Sequence, residues 1–98
     1  MAENIDDLTI TYEEEGQITV QELDKQILTR GAWSTIIFRY QEFDRKTNAF
    51  GPDKYSIRRY QKKNGIYQQR SKFNISSADQ ARQLIAALEQ WLPEEADS

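Results

Sequence analysis

The dipeptide Asn64-Gly65 limits this chain's folding options more than any other feature. It is flanked by two extended, aromatic-bearing runs, Lys54 to Lys63 and Ile66 to Ile75. A type I′ hairpin turn needs positive φ at both central residues, and Asn and Gly tolerate that best. The spacing therefore predicts an antiparallel ribbon, with Lys63 opposite Ile66, Lys62 opposite Tyr67, Tyr60 opposite Gln69 and Arg58 opposite Ser71. One face of the ribbon would group Arg58, Tyr60, Lys62, Tyr67 and Phe73. The other would group Arg59, Lys63, Arg70 and Lys72 with Tyr55, Ile57 and Ile66. A bulge would exchange part of this assignment.

Upstream, Trp33 to Phe43 is dense in β-branched and aromatic residues and contains neither Gly nor Pro, so it reads as a strand. Alternation places Ser34, Ile36, Phe38, Tyr40 and Glu42 on one face and Trp33, Thr35, Ile37, Arg39, Gln41 and Phe43 on the other. The segment from Gln17 to Arg30 is ambiguous in period, because Val20, Leu23 and Ile27 would also suit a helix face. Its β-branched residues and Gly31 favour a strand. Asp44 to Asp53, with Asn48, Gly51 and Pro52, reads as a loop. Downstream, Ser77 and Gln80 fit a capping box. Ala81, Leu84, Ile85, Leu88, Trp91 and Leu92 follow on one helical stripe, and Pro93 ends it. The expected fold is α+β, a four-stranded antiparallel sheet followed by one C-terminal helix (ββββα), spanning 17–93.

Charge is sorted along the chain. Residues 1–24 hold eight acids and no base, residues 25–82 hold thirteen bases against four acids, and residues 83–98 hold four acids and no base. The overall net charge of −3 hides a basic body between acidic ends. Residues 1–16, with Glu13-Glu14-Glu15, read as an acidic disordered tail, and 94–98 as a second acidic tail. The first would be solubilising, or would compete with an anionic ligand for the basic body.

The chain contains no cysteine and no histidine, which removes thiolate chemistry, the commonest metal ligand and the commonest general base. No phosphate-cradling Gly-rich loop occurs, since Gly16, Gly31, Gly51 and Gly65 stand alone at turns. The reading is of a protein that is not an enzyme and has no metal or cofactor. The start of the chain lacks signal-peptide character and no apolar run reaches the ~20 residues of a membrane span, so a cytoplasmic setting is expected.

Between Lys54 and Ala78 there are seven bases and no acid. Arg59 is expected opposite Arg70, a like-charge pair that weakens a ladder and so suggests a functional demand. Cations interleaved with aromatic rings suit a single nucleic-acid strand, whose phosphates they neutralise and whose bases they stack on. The structural alternative is a solvated sheet face with lysines protecting an edge and aromatics packed in a core. Another is a basic sheet that docks an acidic protein partner.

The strand Ile57-Arg58-Arg59-Tyr60, and a later strand ending Lys72-Phe73-Asn74-Ile75-Ser76 that leads directly into the helix, resemble the single-stranded-DNA-binding domain of the positive cofactor four type of transcriptional coactivator. The same topology is shared by the Whirly and purine-rich-element-binding families. The resemblance covers roughly residues 17–92, its specific motif about twenty residues. Gln61 stands where the family often has Trp, and Asn74 where it has Gly. The resemblance implies a homodimer packed through the helices, with Leu84, Leu88 and Trp91 at the interface. It also implies single-stranded DNA or RNA along the sheet, with Arg58, Tyr60 and Lys72 in contact. Together with the charge pattern, this gives Arg39, Arg58, Arg59, Lys62, Lys63, Arg70 and Lys72 as expected phosphate contacts. Trp33, Tyr60 and Tyr67 are the expected stacking platforms.

Overall fold

The computed structural model describes residues 3–93; the expected acidic C-terminal tail at 94–98 lies outside the described residues. After a 3-10 turn at Ile5–Asp7 come β1 (Tyr12–Glu14), β2 (Gln17–Thr29), β3 (Trp33–Asp44), β4 (Ala49–Phe50), β5 (Lys54–Lys63), β6 (Ile66–Ile75) and α1 (Ala78–Trp91). The strands form one antiparallel sheet in the order β1-β2-β3-β5-β6, with β4 paired to the end of β3. The α+β class, the C-terminal helix and the four long strands agree with the sequence reading. The strand count does not, because β1 and β4 add two short strands to the expected four.

Both additions are made by local turns. Glu15 and Gly16 adopt φ of 50° and 83°, the same positive pair that Asn64 and Gly65 show at 55° and 79°. They fold β1 back onto β2 as Asn64-Gly65 folds β6 onto β5. Between β3 and β4, Asn48 takes φ of 58° and its N–H donates to the Asp44 carbonyl, closing the turn. Phe43 and Phe50 then meet edge to face at 5.4 Å.

Direct pairing fixes which residues share a face. The inner face carries Ile36, Phe38 and Tyr40 of β3, Ser56 and Tyr60 of β5, and Tyr67 of β6. Ile36 and Phe38 are fully buried, and the small Ser34 and Ser56 lie between the large side chains. Ser34 donates to the Gly31 carbonyl and Ser56 to Asn74 Oδ1, so their burial leaves no polar atom unmatched.

The cover of this face is the N-terminal segment from Glu3 onward, which corrects the expectation of a disordered tail at 1–16 for its described part, Met1 and Ala2 lying outside the described residues. Ile5, Leu8 and Ile10 are buried against Ile36, Phe38, Tyr40, Tyr60 and Tyr67. Asn4 caps the 3-10 turn through the Asp6 N–H. Lys25 Nζ donates to the carbonyls of Asp6 at 2.7 Å and Leu8 at 2.6 Å, and Glu22 accepts from the Thr9 hydroxyl at 2.6 Å. Three apolar side chains among acids suffice to anchor it, since burying each one contributes about 1.5–3 kcal/mol.

The opposite, outer face has no such cover. The molecule is only 17 Å across its shortest axis, and Leu28, Trp33 and Phe73 stay exposed there. The helix meets the sheet at β6 and buries none of its own residues.

Candidate nucleic-acid interface

The expected site residues lie on two sides of the β5–β6 ribbon. From the turn inward the register is as the sequence implies: Lys63↔Ile66, Lys62↔Tyr67, Gln61↔Gln68 and Tyr60↔Gln69. A bulge then intervenes, because Arg59 pairs with Ser71 and Arg70 has no partner. The expected Arg59–Arg70 opposition is therefore absent. The like-charge pair is instead Arg58↔Lys72, on the inner side. The same bulge moves Lys72 to the face of Arg58 and carries Phe73 to the outer face opposite Ile57.

On the inner side, Tyr60 and Tyr67 are 5% and 7% exposed under the N-terminal segment. Their assignment as stacking platforms is corrected: both rings belong to the core. Burial pushes the Tyr60 hydroxyl above its ordinary pKa, and the neighbouring Arg58 charge works against that rise. Lys62 lies with its ammonium 5.4 Å from the Tyr67 ring centre, a cation–π contact at the rim of this packing. Arg58 is half-buried; its Nε donates to Ser56 Oγ and its Nη1 to Gln69 Oε1. Lys72 is exposed on the edge strand.

On the outer side, Trp33 is 44% exposed, and the Arg59 guanidinium stacks over its ring at 4.7 Å. Arg59, Lys63 and Arg70 are exposed. Arg70 reaches across the ribbon, donating from Nε to Gln61 Oε1 at 3.0 Å and from Nη2 to Gln68 Oε1 at 2.9 Å. Among the described residues no carboxylate lies within ion-pair distance of Arg58, Arg59, Arg70, Lys62, Lys63 or Lys72. Charges left with neutral acceptors keep donors free for an external anion.

Arg39 is the exception. It sits on the outer face in the middle of β3, bound to Asp53 at 3.0 Å and paired in register with Asp24. Its charge is already matched, so it does not join the cluster. With a second donor from Gln41, Arg39 holds the Asp53 carboxyl below its usual range.

Sequence reasoning passed over the glutamines. Gln61, Gln68 and Gln69 pair across the ribbon near its turn and orient the Arg58 and Arg70 forks. Their density in the ribbon was visible, but their partners depend on the bulge.

The helix residues expected at a dimer interface are mostly bare: Leu88 is 52% and Trp91 78% exposed, and Leu84 is half-buried. Among the described residues no group of three or more acidic, histidine or cysteine side chains is placed to hold a metal, and no helix is long and apolar enough to cross a membrane. Comparisons with known proteins return no matching family model, no matching curated protein and no matching solved structure.

Proposed function

We propose that this chain is a sequence-tolerant single-stranded nucleic-acid-binding protein, acting as a homodimer, with its interface on the outer end of the β5–β6 ribbon. One observation carries the reading: the exposed Trp33 ring, capped by Arg59, lies on a patch whose cations have neutral partners only. A base can slide against the Trp33 ring while Arg59, Lys63 and Arg70 neutralise successive phosphates. Gln61 and Gln68 add amide groups without imposing a charge. The resemblance to the coactivator type points the same way, with a role in transcription, though through different rings than it implied.

Fluorescence anisotropy with a labelled ~20-nucleotide strand, against matched duplex and over a salt series, tests this reading. Three to five phosphate contacts would give a log–log salt slope of about −2 to −3.5, at roughly −0.7 per contact for single strands. Trp33→Ala should weaken binding by about tenfold, within the ~1–3 kcal/mol that one stacked base contributes. No binding at low salt would end the proposal.

The rival reading, a protein-interaction module whose basic sheet docks an acidic partner, is favoured by the burial of Tyr60 and Tyr67. It predicts that Trp33→Ala leaves binding unchanged while loss of the cations abolishes it.

A further inference from the structure

An open cleft of about 370 Å³ lies on the outer face of the sheet, farther along β3 than the Trp33 platform. Its lining includes Ile37 of β3, Tyr55 of β5, and Asp24, Gln26 and Leu28 of β2. The register explains the grouping, because Gln26 pairs with Ile37, Asp24 with Arg39, and Arg39 with Tyr55. Ile27 pairs with Ile36 and Thr29 with Thr35, so Leu28 is the extra residue of a bulge and adds a second apolar group. Trp33 and Ile37 share one face of β3, about 13 Å apart at ~3.3 Å per residue. The row between them pairs Thr35 with Arg59, so a platform cation stands on the way from the ring to the cleft.

The chemistry of the cleft differs from that of the platform. Its guanidinium, Arg39, is already bound to Asp53 at 3.0 Å. Asp24 is the opposite case: among the described residues no cation lies within ion-pair distance of its carboxylate. The Lys25 N–H donates to Asp24 Oδ1 at 2.8 Å, which orients the carboxylate and leaves most of its lone pairs open. Beside it the exposed Gln26 offers an amide donor and an acceptor. A lone carboxylate repels phosphate and accepts from N–H donors. Ile37, Leu28 and the Tyr55 ring supply the apolar surface against which a flat, uncharged ring lies. A nucleobase splayed from a single strand has that shape and presents its Watson–Crick edge. Guanine alone among the common bases carries two adjacent N–H donors there, at N1 and N2, and two such donors match the two oxygens of a carboxylate.

We infer that this cleft is a guanine subsite, in which Asp24 receives the N1 and N2 hydrogens of a base laid over Ile37 and Tyr55. The inference deepens the proposed function and rests on it for the strand. One base stacks at Trp33, Arg59 neutralises the backbone between, and a base a few nucleotides away is read at Asp24. Most of the strand is then held without regard to sequence, and one position is selected.

The test compares short thymine strands carrying one central guanine, hypoxanthine, adenine or cytosine with the all-thymine strand, all against the full chain. The guanine strand should bind roughly fivefold or more tighter than the all-thymine, adenine and cytosine strands, as a good bidentate base contact allows. Hypoxanthine, which lacks only the N2 amine, should lose most of that gain. Asp24→Asn should remove the guanine preference, read as the ratio of the two affinities within one protein. Equal affinity for all strands, or a guanine preference that persists in Asp24→Asn, overturns the inference. If no strand binds, the platform reading fails, and free guanosine decides the cleft separately. It should shift the amide resonances of Gln26 and Ile37 where cytidine does not, and equal or absent shifts overturn the subsite as well.

Discussion

Asp53 receives Arg39 Nη1 at 3.0 Å and Gln41 Nε2 at 2.9 Å, and those donors hold its pKa down. Because the folded value lies below the unfolded one, the contribution is complete above the unfolded carboxylate pKa of about 3.9 and is lost as pH falls through the folded value. Wild type should therefore be more thermostable than Asp53→Asn at about pH 6, and the gap should close below about pH 4. Melting curves of both proteins across that range check it, and a gap independent of pH would mean the carboxylate charge is not involved. Gly65 tests backbone strain alone, because its φ is +79° and a Cβ there would meet nothing within 4 Å. Gly65→Ala should cost about 1–2 kcal/mol in urea unfolding, all of it from holding an L-residue in the left-handed region. A change near zero would mean that the turn relaxes to another type.

At the level of elements, legibility followed how local each determinant is. The β5–β6 hairpin was readable because its turn signal and its alternation lie within twenty-odd consecutive residues. The helix was readable from its cap and stripe, and Ser77 Oγ does accept the Gln80 N–H. The Arg70 bulge was not, since nothing in Gln69-Arg70-Ser71 distinguishes an unpaired residue from a paired one. That single slip reassigned Lys72 and Phe73 and removed the Arg59–Arg70 opposition. The first turn was missed because Glu15 is a poor left-handed residue, although Gly16 follows it. The N-terminal cover was missed for another reason. Ile5, Leu8 and Ile10 follow a 3-10 turn and then extended chain, so they obey no single period, and acids surround them. The cover makes a definite prediction. Leu8→Ala should destabilise the fold by about 2–5 kcal/mol, as a buried leucine truncation does. A packed-free acidic tail would tolerate the same change within about 0.5 kcal/mol, so equilibrium urea unfolding separates the two.

For the whole molecule the imbalance is between its two sheet faces and its helix. The inner face has a cover, while the outer face leaves Leu28 and Phe73 bare, and the helix exposes Ile85, Leu88, Trp91 and Leu92. A fourteen-residue helix is marginal in water by itself and ordinarily draws its stability from packing an apolar stripe. A stripe left bare on a chain this small is the kind of patch that marks an interface. A second copy satisfies the stripe symmetrically, since stripe against stripe is self-complementary across a two-fold axis. Trp91 would be the largest anchor, and Arg82 is the one base on a helix that also carries Asp79 and Glu89, so charge does not oppose the approach. The protein should therefore sediment at twice its 11.5 kDa chain mass at micromolar concentration. Leu88→Asp should return it to the single-chain mass and lower its helical circular dichroism, while the β-sheet signal persists. Strand binding, if it needs only one ribbon, should survive in that variant with lower apparent affinity, because linked sites raise the effective concentration for a second contact. A wild-type chain that sediments at 11.5 kDa throughout, with its helical signal intact on dilution, would require the stripe to fold back onto its own sheet. The bare outer face beside β6 would then be the surface it covers, and strand binding at Trp33 would have to compete with it.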